Sequence, residues 1–265
     1  MTVSVIIPTW NRAKTLKKAI ESALNQTVQP LEILVCDDGS TDESKEIVES
    51  INDTSVKWIE GYRAGRPAIP RNRGIKESKG EWLAFLDSDD EWLPEKLELQ
   101  LKLAKELNCK ASCTNAYRII PNRNDKTLYL EYKKSMLSFN ELIKDNYIIC
   151  SSAIIHKSLI EKVEGFPQES WVKTSEDYGL WLRVAMISDF AYLDQPLVLY
   201  NDDPKTSFRS LDPDGWTQKK NVLRSFFCWL WRQELLLSKP PLKAGQVYVI
   251  VSLNRLFRML IRRFP

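Results

Sequence analysis

Short apolar runs, each closed by a polar or acidic turn, alternate with segments whose apolar residues recur at helical spacing. Val3-Ser4-Val5-Ile6-Ile7-Pro8 predicts a strand, Thr9-Trp10-Asn11-Arg12 a loop, and Leu16, Ala19, Ile20, Ala23 and Leu24 one face of a helix. Leu31 to Cys36 predicts a second strand, which ends in Asp37-Asp38-Gly39-Ser40-Thr41-Asp42. A short helix with Ile47, Val48 and Ile51 on one face leads to a third strand at Val56 to Ile59. This βαβ rhythm predicts a largely parallel sheet covered by helices.

The run Trp82-Leu83-Ala84-Phe85-Leu86 stops in Asp87-Ser88-Asp89-Asp90, three carboxylates within four residues. The pattern predicts a buried strand whose carboxyl end opens to solvent. Three adjacent acids repel one another, and a divalent cation compensates that repulsion. The competing reading is an acidic turn before the helix that begins near Pro94. That helix carries Leu97, Leu101, Ala104 and Leu107, widened by Leu99 and Leu103. Further strands are predicted at Cys109 to Ile120, Tyr147 to Ile155 and Pro196 to Tyr200, with an irregular stretch at Pro121 to Leu130. Ser138 with Glu141, and Ser158 with Glu161, have capping-box spacing. Gly165-Phe166-Pro167 predicts a turn, and Glu176-Asp177 opens a helix carrying Leu180, Trp181, Val184 and Ala185, with Thr174 or Ser175 as its cap. Acids in a first turn are ordinary helix electrostatics; after a long loop they also deliver a carboxylate into a cleft.

Gly61 to Gly74 reads as a long loop punctuated by glycine and proline. Its arginines, Arg63, Arg66, Arg71 and Arg73, suit a phosphate as well as solvent. At 265 residues the chain has room for one sizeable α/β domain and an appendage. Its single histidine, His156, lies in an apolar run and leaves histidine-based triad chemistry without support. Five cysteines in no repeating pattern predict reduced thiols rather than zinc or disulfides. No signal-peptide pattern precedes the first strand.

The net charge of +3 conceals an asymmetry: residues 216–265 carry +9 and the preceding residues −6. An acidic body behind a basic tail argues against a nucleic-acid partner. Phe226, Phe227, Trp229 and Trp231 lie among Lys219, Lys220, Arg224 and Arg232. From Gln246 to Phe264, Arg255, Arg258 and Arg262 form one stripe of a helical wheel, opposite Val247, Ile250, Leu253, Phe257, Leu260, Ile261 and Phe264. That is the pattern of a helix lying at a membrane interface; a helix packed on the domain or on a second copy remains the alternative. Charge interrupts it too often for a span.

Taken together, Val5 to Arg12, Asp37-Asp38-Gly39-Ser40-Thr41-Asp42, Arg71-Asn72-Arg73-Gly74-Ile75, Phe85 to Asp90 and Ser175-Glu176-Asp177-Tyr178 resemble the motif series of a bacterial family 2 glycosyltransferase of the GT-A type. The resemblance covers roughly residues 2–210. It implies an α/β, Rossmann-like GT-A fold: a mixed, mostly parallel central sheet flanked by helices, with a helical basic extension at the C-terminus. It implies a glycosyltransferase domain at 1–215, with a donor half at about 1–120 and an acceptor half at about 121–215. The tail at 216–265 would then serve membrane association. The activity implied is inverting transfer of one sugar, a hexose or N-acetylhexosamine, from a nucleotide-diphosphate sugar, with UDP the commonest nucleotide.

By the same resemblance Pro8, Thr9 and Asp38 line the nucleoside pocket, with Asn11 and Arg12 beside them. Arg66 and Arg71 face the diphosphate. Asp87, Ser88 and Asp89 form the metal motif, Asp89 being the direct ligand of Mn²⁺ or Mg²⁺. Asp177 is the general base, and Glu176 and Trp181 support it or the acceptor. Asn201-Asp202-Asp203-Pro204 departs from the family, many members of which carry Arg and His there; Ser207 or Arg209 is the replacement expected in the donor loop. No processive-synthase signature occurs. The family's settings, capsule, O-antigen and lipooligosaccharide synthesis, imply a glycan or lipid-linked glycan acceptor at the cytoplasmic face of the cell membrane, with a homo-oligomer open. The rival readings are a sugar-nucleotide nucleotidyltransferase, whose glycine- and lysine/arginine-rich phosphate loop is missing after the first strand, and an inactive scaffold of the same fold.

Overall fold

The computed structural model describes residues 1–120, 126–132, 134–203 and 215–233. In chain order the elements are β1 (Val3–Thr9), α1 (Leu16–Leu24), β2 (Glu32–Asp37), α2 (Ser44–Glu49), β3 (Val56–Ile59), α3 (Ala68–Glu77), β4 (Trp82–Phe85), β5 (Glu91–Trp92) and α4 (Lys96–Glu106). They continue as β6 (Ala111–Ile119), β7 (Thr127–Leu128), β8 (Met136–Leu137), α5 (Phe139–Leu142), β9 (Ile154–His156), α6 (Lys157–Lys162), α7 (Glu176–Ala185), β10 (Phe190–Asn201) and α8 (Gly215–Arg232).

One sheet runs in the order β3-β2-β1-β4-β9-β6-β10-β5, with β7 on β6 and β8 on β10. The first four strands are parallel, with Val5 opposite Ile33 on one side and Ala84 on the other. β9 is antiparallel to both its neighbours, while β10 is parallel to β6. The sheet is therefore mixed. Every residue of β1, β2 and β4 is buried, as expected of strands covered on both faces. Alternate side chains divide between those faces. Val5, Ile7, Ile33 and Val35 share a core with Leu16, Ala19, Ile20 and Ala23 of α1. Ile6 and Cys36 point the other way, to α3, where Gly74 lies so close that a Cβ would stand 2.6 Å from Ile6 and 2.8 Å from Cys36.

Chain direction positions the functional end. From β1 the chain steps outward to β2 and β3, then returns to place β4 on the other side of β1. The strand order reverses there, and the crevice beyond the carboxyl ends of β1 and β4 is the usual ligand site of such a sheet. Thr9, Asp38 and the acids from Asp87 onward all emerge at that edge.

Four local expectations are corrected. Ala68 to Gly74 is helical instead of a loop: Pro67 is the N-cap of α3 and Pro70 sits in its first turn, where a missing N–H leaves no hydrogen bond unmade. Tyr147 to Ile155 is not one strand, because Cys150–Ser152 forms a 3₁₀ turn in which the Ser152 hydroxyl donates to the Ile149 carbonyl at 2.8 Å. The Ser138–Glu141 capping box is present, but α6 is capped by His156, whose Nδ1 accepts from the Ser158 backbone N–H. β10 begins at Phe190 and passes through Pro196 at an irregularity in its pairing with β6, the setting in which a strand tolerates proline.

The chain divides into two compact units, Met1–Phe226 and Phe227–Pro265. Within the first, Phe226 of α8 lies 5.5 Å from Phe139 between ring centroids, and Arg183 donates to the Ser225 hydroxyl at 3.3 Å. Of the second, the described part is the last turns of α8. The amphipathic helix expected from Gln246 to Phe264 lies outside the described residues, as do Ser207 and Arg209. Among the described residues no helix is long and apolar enough to cross a membrane.

Candidate active site

The two acids at the end of β2 have different tasks. Asp37 folds back on its own turn, accepting from the backbone N–H groups of Gly39 at 2.9 Å and Ser40 at 3.0 Å. That turn releases Asp38 toward the cleft. Asp38 accepts from the backbone N–H groups of Ala64 at 2.8 Å and Gly65 at 2.9 Å and from the Arg63 guanidinium. The guanidinium carbon of Arg63 lies 3.6 Å from the centre of the Trp10 ring. Asn11 does not line the cleft. At φ 52° its backbone N–H donates to the Ser40 hydroxyl and its side-chain oxygen accepts from Thr41, which ties the β1 loop to the Asp37 turn.

Beyond β4, each acid has a separate partner. The Asp87 carboxylate accepts from Arg71 Nη2 at 2.6 Å, and its backbone N–H donates to the Ser151 hydroxyl at 3.0 Å. Asp89 pairs with Arg12 at 3.3 Å. Asp90 is buried, accepting from the Ser151 hydroxyl and from the Asn201 backbone N–H at 2.8 Å. Burial, followed by the charges of Asp87 and Asp89, pushes its carboxyl well above the usual range. It links the end of β10 to the acidic turn, a role that nothing in its local sequence signals.

Arg71 joins this acidic turn to the helix-start pair. Buried, it donates through Nη1 to Glu176 and through Nη2 to Asp87, both at 2.6 Å. Burial opposes its charge, but the surrounding acids, Asp87 first, hold it firmly protonated. Glu176 is buried too. Burial raises its pKa to about 7, with Arg71 opposing and the Asp177 charge adding to the rise. Asp177 itself is half-buried, and one of its oxygens accepts from the Tyr178 backbone N–H at 2.7 Å.

A single cleft gathers these groups, about 1100 Å³ counting its open mouth. Of the residues expected in the site it brings together Pro8, Thr9, Arg12, Asp38, Arg66, Arg71, Asp87, Ser88, Asp89, Glu176 and Asp177. It adds Trp10, and it adds Arg63 as a partner of Asp38, where local sequence offered it only as one of four phosphate-suited arginines, because that pairing joins two separate loops. Trp181 is fully buried among Phe85, Phe166 and Phe190, so it stiffens α7 beneath the cleft instead of lining it. Arg73 donates to the Asp37 carbonyl at 2.6 Å and is structural.

Among the described residues no three His, Cys, Asp or Glu side chains are grouped to hold a metal by themselves. Asp87 and Asp89 nevertheless fit a hard divalent ion. They are two carboxylates on a cleft wall, and Mg²⁺-type ions commonly take one or two such ligands and complete their shell with substrate phosphate and water.

A model described as Glycosyl transferase family 2 matches residues 4–164. The UDP-Glc:alpha-D-GlcNAc-diphosphoundecaprenol beta-1,3-glucosyltransferase WfgD of Escherichia coli is 34% identical over 182 residues, covering 69% of each chain. An uncharacterized glycosyltransferase of Rickettsia conorii is 34% identical over 199 residues, 74% of this chain and 32% of that one, so this chain spans about a third of its length. Staphylococcus aureus TarS 1–349, solved in complex with UDP-GlcNAc, superposes with a TM-score of 0.69 at 23% identity. That alignment covers 86% of this chain and 66% of TarS 1–349, and at such identity it establishes the GT-A arrangement of the sheet alone. The family match extends over more than half of the chain and includes β1, the Asp37 turn, α3 and the acidic turn after β4: the chain belongs to glycosyl transferase family 2.

Proposed function

We propose that the protein is an inverting glycosyltransferase that moves one sugar from a UDP-sugar to a hydroxyl of a glycan or lipid-linked glycan. The observation that carries this reading is the position of Asp177, in the first turn of α7 and on the same cleft as Asp38, Asp87 and Asp89. The names of WfgD, which specify UDP-glucose and a diphosphoundecaprenol-linked acceptor, support both halves of it. Pro8, Thr9 and Asp38 hold the nucleoside, and Arg12 and Arg66 on the cleft wall supply positive charge for the diphosphate. Asp87 and Asp89 are the residues that would hold Mn²⁺ or Mg²⁺, which would supply positive charge to offset the negative charge developing on the departing phosphate oxygens. Asp177 takes the proton of the acceptor hydroxyl as that oxygen attacks the anomeric carbon from the face opposite the leaving group. With one base and one displacement, configuration inverts.

Proton NMR of the product from an α-linked UDP-sugar and a lipid-linked GlcNAc-diphosphate is expected to show a β-linked sugar. An α-linked product overturns the inverting reading. Absence of UDP release from every UDP-sugar tried, with and without Mn²⁺, overturns the choice of donor.

Residues 1–215 carry this chemistry in a donor half and an acceptor half that meet at the cleft. Residues 216–265 hold it against an anionic membrane surface on the cytoplasmic side, a reading supported by their +9 charge and by exposed Trp216 and Trp231 on α8. Deleting residues 240–265 is expected to move the protein from the membrane pellet to the supernatant. Unchanged partition overturns that assignment.

A further inference from the structure

The hydrogen-bond inventory of Asp38 restricts what else it can accept. An ionised carboxylate has about four lone-pair positions, two on each oxygen. Ala64 N–H uses one on Oδ1, while Gly65 N–H and Arg63 Nη1 use both on Oδ2. One acceptor position is left, on Oδ1. Arg63 is held beside it by two further contacts. Its guanidinium lies on the Trp10 ring, and its backbone packs so tightly on Gly39 that a Cβ there would stand 2.7 Å from the Arg63 nitrogen. Gly39 has φ 78°, the left-handed region that glycine favours, so both the close approach and the turn call for it.

Nucleobases differ in how many donors they present to such a group. Uracil and thymine offer one N–H between two carbonyls. Guanine offers two adjacent donors, which match both oxygens of a carboxylate and leave none over for a neighbouring guanidinium. Cytosine and adenine place an acceptor where uracil has its N–H. We propose that Arg63 is a specificity-determining residue of the donor site: by occupying Asp38 Oδ2 it leaves one acceptor, flanked by its own N–H groups, which suits uracil or thymine and rejects guanine. This rests on the reading of Asp38 as the base contact. Guanine would have to displace Arg63 from Asp38 or bury an unpaired amino hydrogen against a guanidinium, and a buried donor without an acceptor is costly.

Calorimetric titration of UDP, dTDP and GDP into the wild type, Arg63→Leu and Asp38→Asn tests the assignment. The leucine keeps an apolar contact with Trp10 while freeing Oδ2, and Arg63 is exposed, so the fold is expected to tolerate it. The wild type is expected to prefer UDP over GDP by about 100-fold, the upper end of what one buried donor without a partner costs. Arg63→Leu is expected to tighten GDP and weaken UDP, compressing the ratio about tenfold. Equal weakening of both nucleotides makes Arg63 a phosphate or stacking contact and overturns the proposal, as does a wild type that binds GDP as tightly as UDP. Asp38→Asn separates this from the reading beneath it: loss of UDP affinity keeps the base at Asp38, whereas unchanged affinity for both UDP and uridine places the base elsewhere and overturns both.

Discussion

Asp177→Asn is expected to lower kcat about 1000-fold, within the range supplied by a positioned general base. UDP-sugar affinity is expected to stay within about twofold, because the loss falls on a group that acts in the transition state. The asparagine keeps the size of the side chain and an oxygen able to accept from the Tyr178 N–H, so the first turn of α7 is conserved and the proton acceptor is removed. Single-turnover transfer read alongside calorimetric binding separates the two effects. Near-normal turnover would remove Asp177 from the base role.

Glu176 adds a signature in pH to the same experiment. Its pKa of about 7 means that it gains charge across the neutral range next to the proposed base, and a neighbouring negative charge favours proton uptake. Transfer by the wild type is expected to rise through pH about 7, and Glu176→Gln to flatten that limb. Stability runs in the opposite direction. A carboxyl whose folded pKa exceeds its ordinary value of 4.5 contributes stability that is complete below that value and is lost as pH rises through about 7. Activity gained and stability lost over the same window identify one group as the source of both.

Much of the site was legible because buried parallel strands are written as unbroken apolar runs, and their carboxyl ends are where polar residues return. Val3 to Pro8, Leu31 to Cys36 and Trp82 to Leu86 each ended near the edge now occupied by Thr9, Asp38 and Asp87. The pairing of β9, β6 and β10 was not legible in the same way, since a short antiparallel strand between parallel ones leaves no local period. The arginines were the least legible. Four in fourteen residues, from Gly61 to Gly74, read as one basic loop. Folding assigns Arg63 to Asp38, Arg66 to the cleft and the Gln168 carbonyl, Arg71 to two buried acids and Arg73 to the Asp37 carbonyl. Those assignments depend on Pro67 and Pro70 starting a helix instead of preventing one, and on partners up to 105 residues away.

The correction at Arg71 has the larger energetic consequence. As a loop arginine it would meet phosphate directly; as found, both terminal nitrogens are committed to Asp87 and Glu176, and it fixes where those carboxylates stand. Arg71→Met removes the only cation hydrogen-bonded to either carboxylate among the described residues and leaves Glu176, which is buried, without the charge that favours its ionisation, so that a negative charge there is uncompensated. Breaking one side of a buried ion pair costs about 3–5 kcal/mol. For a domain of this size that lowers Tm by roughly 10 °C, measured by calorimetry at pH 8. Protonating Glu176 relieves the penalty, so the deficit is expected to shrink as pH falls from about 8 to about 5.5, the reverse of simple lost packing. Arg71→Met combined with Glu176→Gln is expected to recover most of the stability, because the buried charge is gone with its partner, and to recover little transfer, because Asp87 and α7 are no longer tied together. A double variant as unstable as the single one would show that Arg71 contributes by filling space, and a fully active one would show that the link between the acidic turn and α7 is dispensable for catalysis.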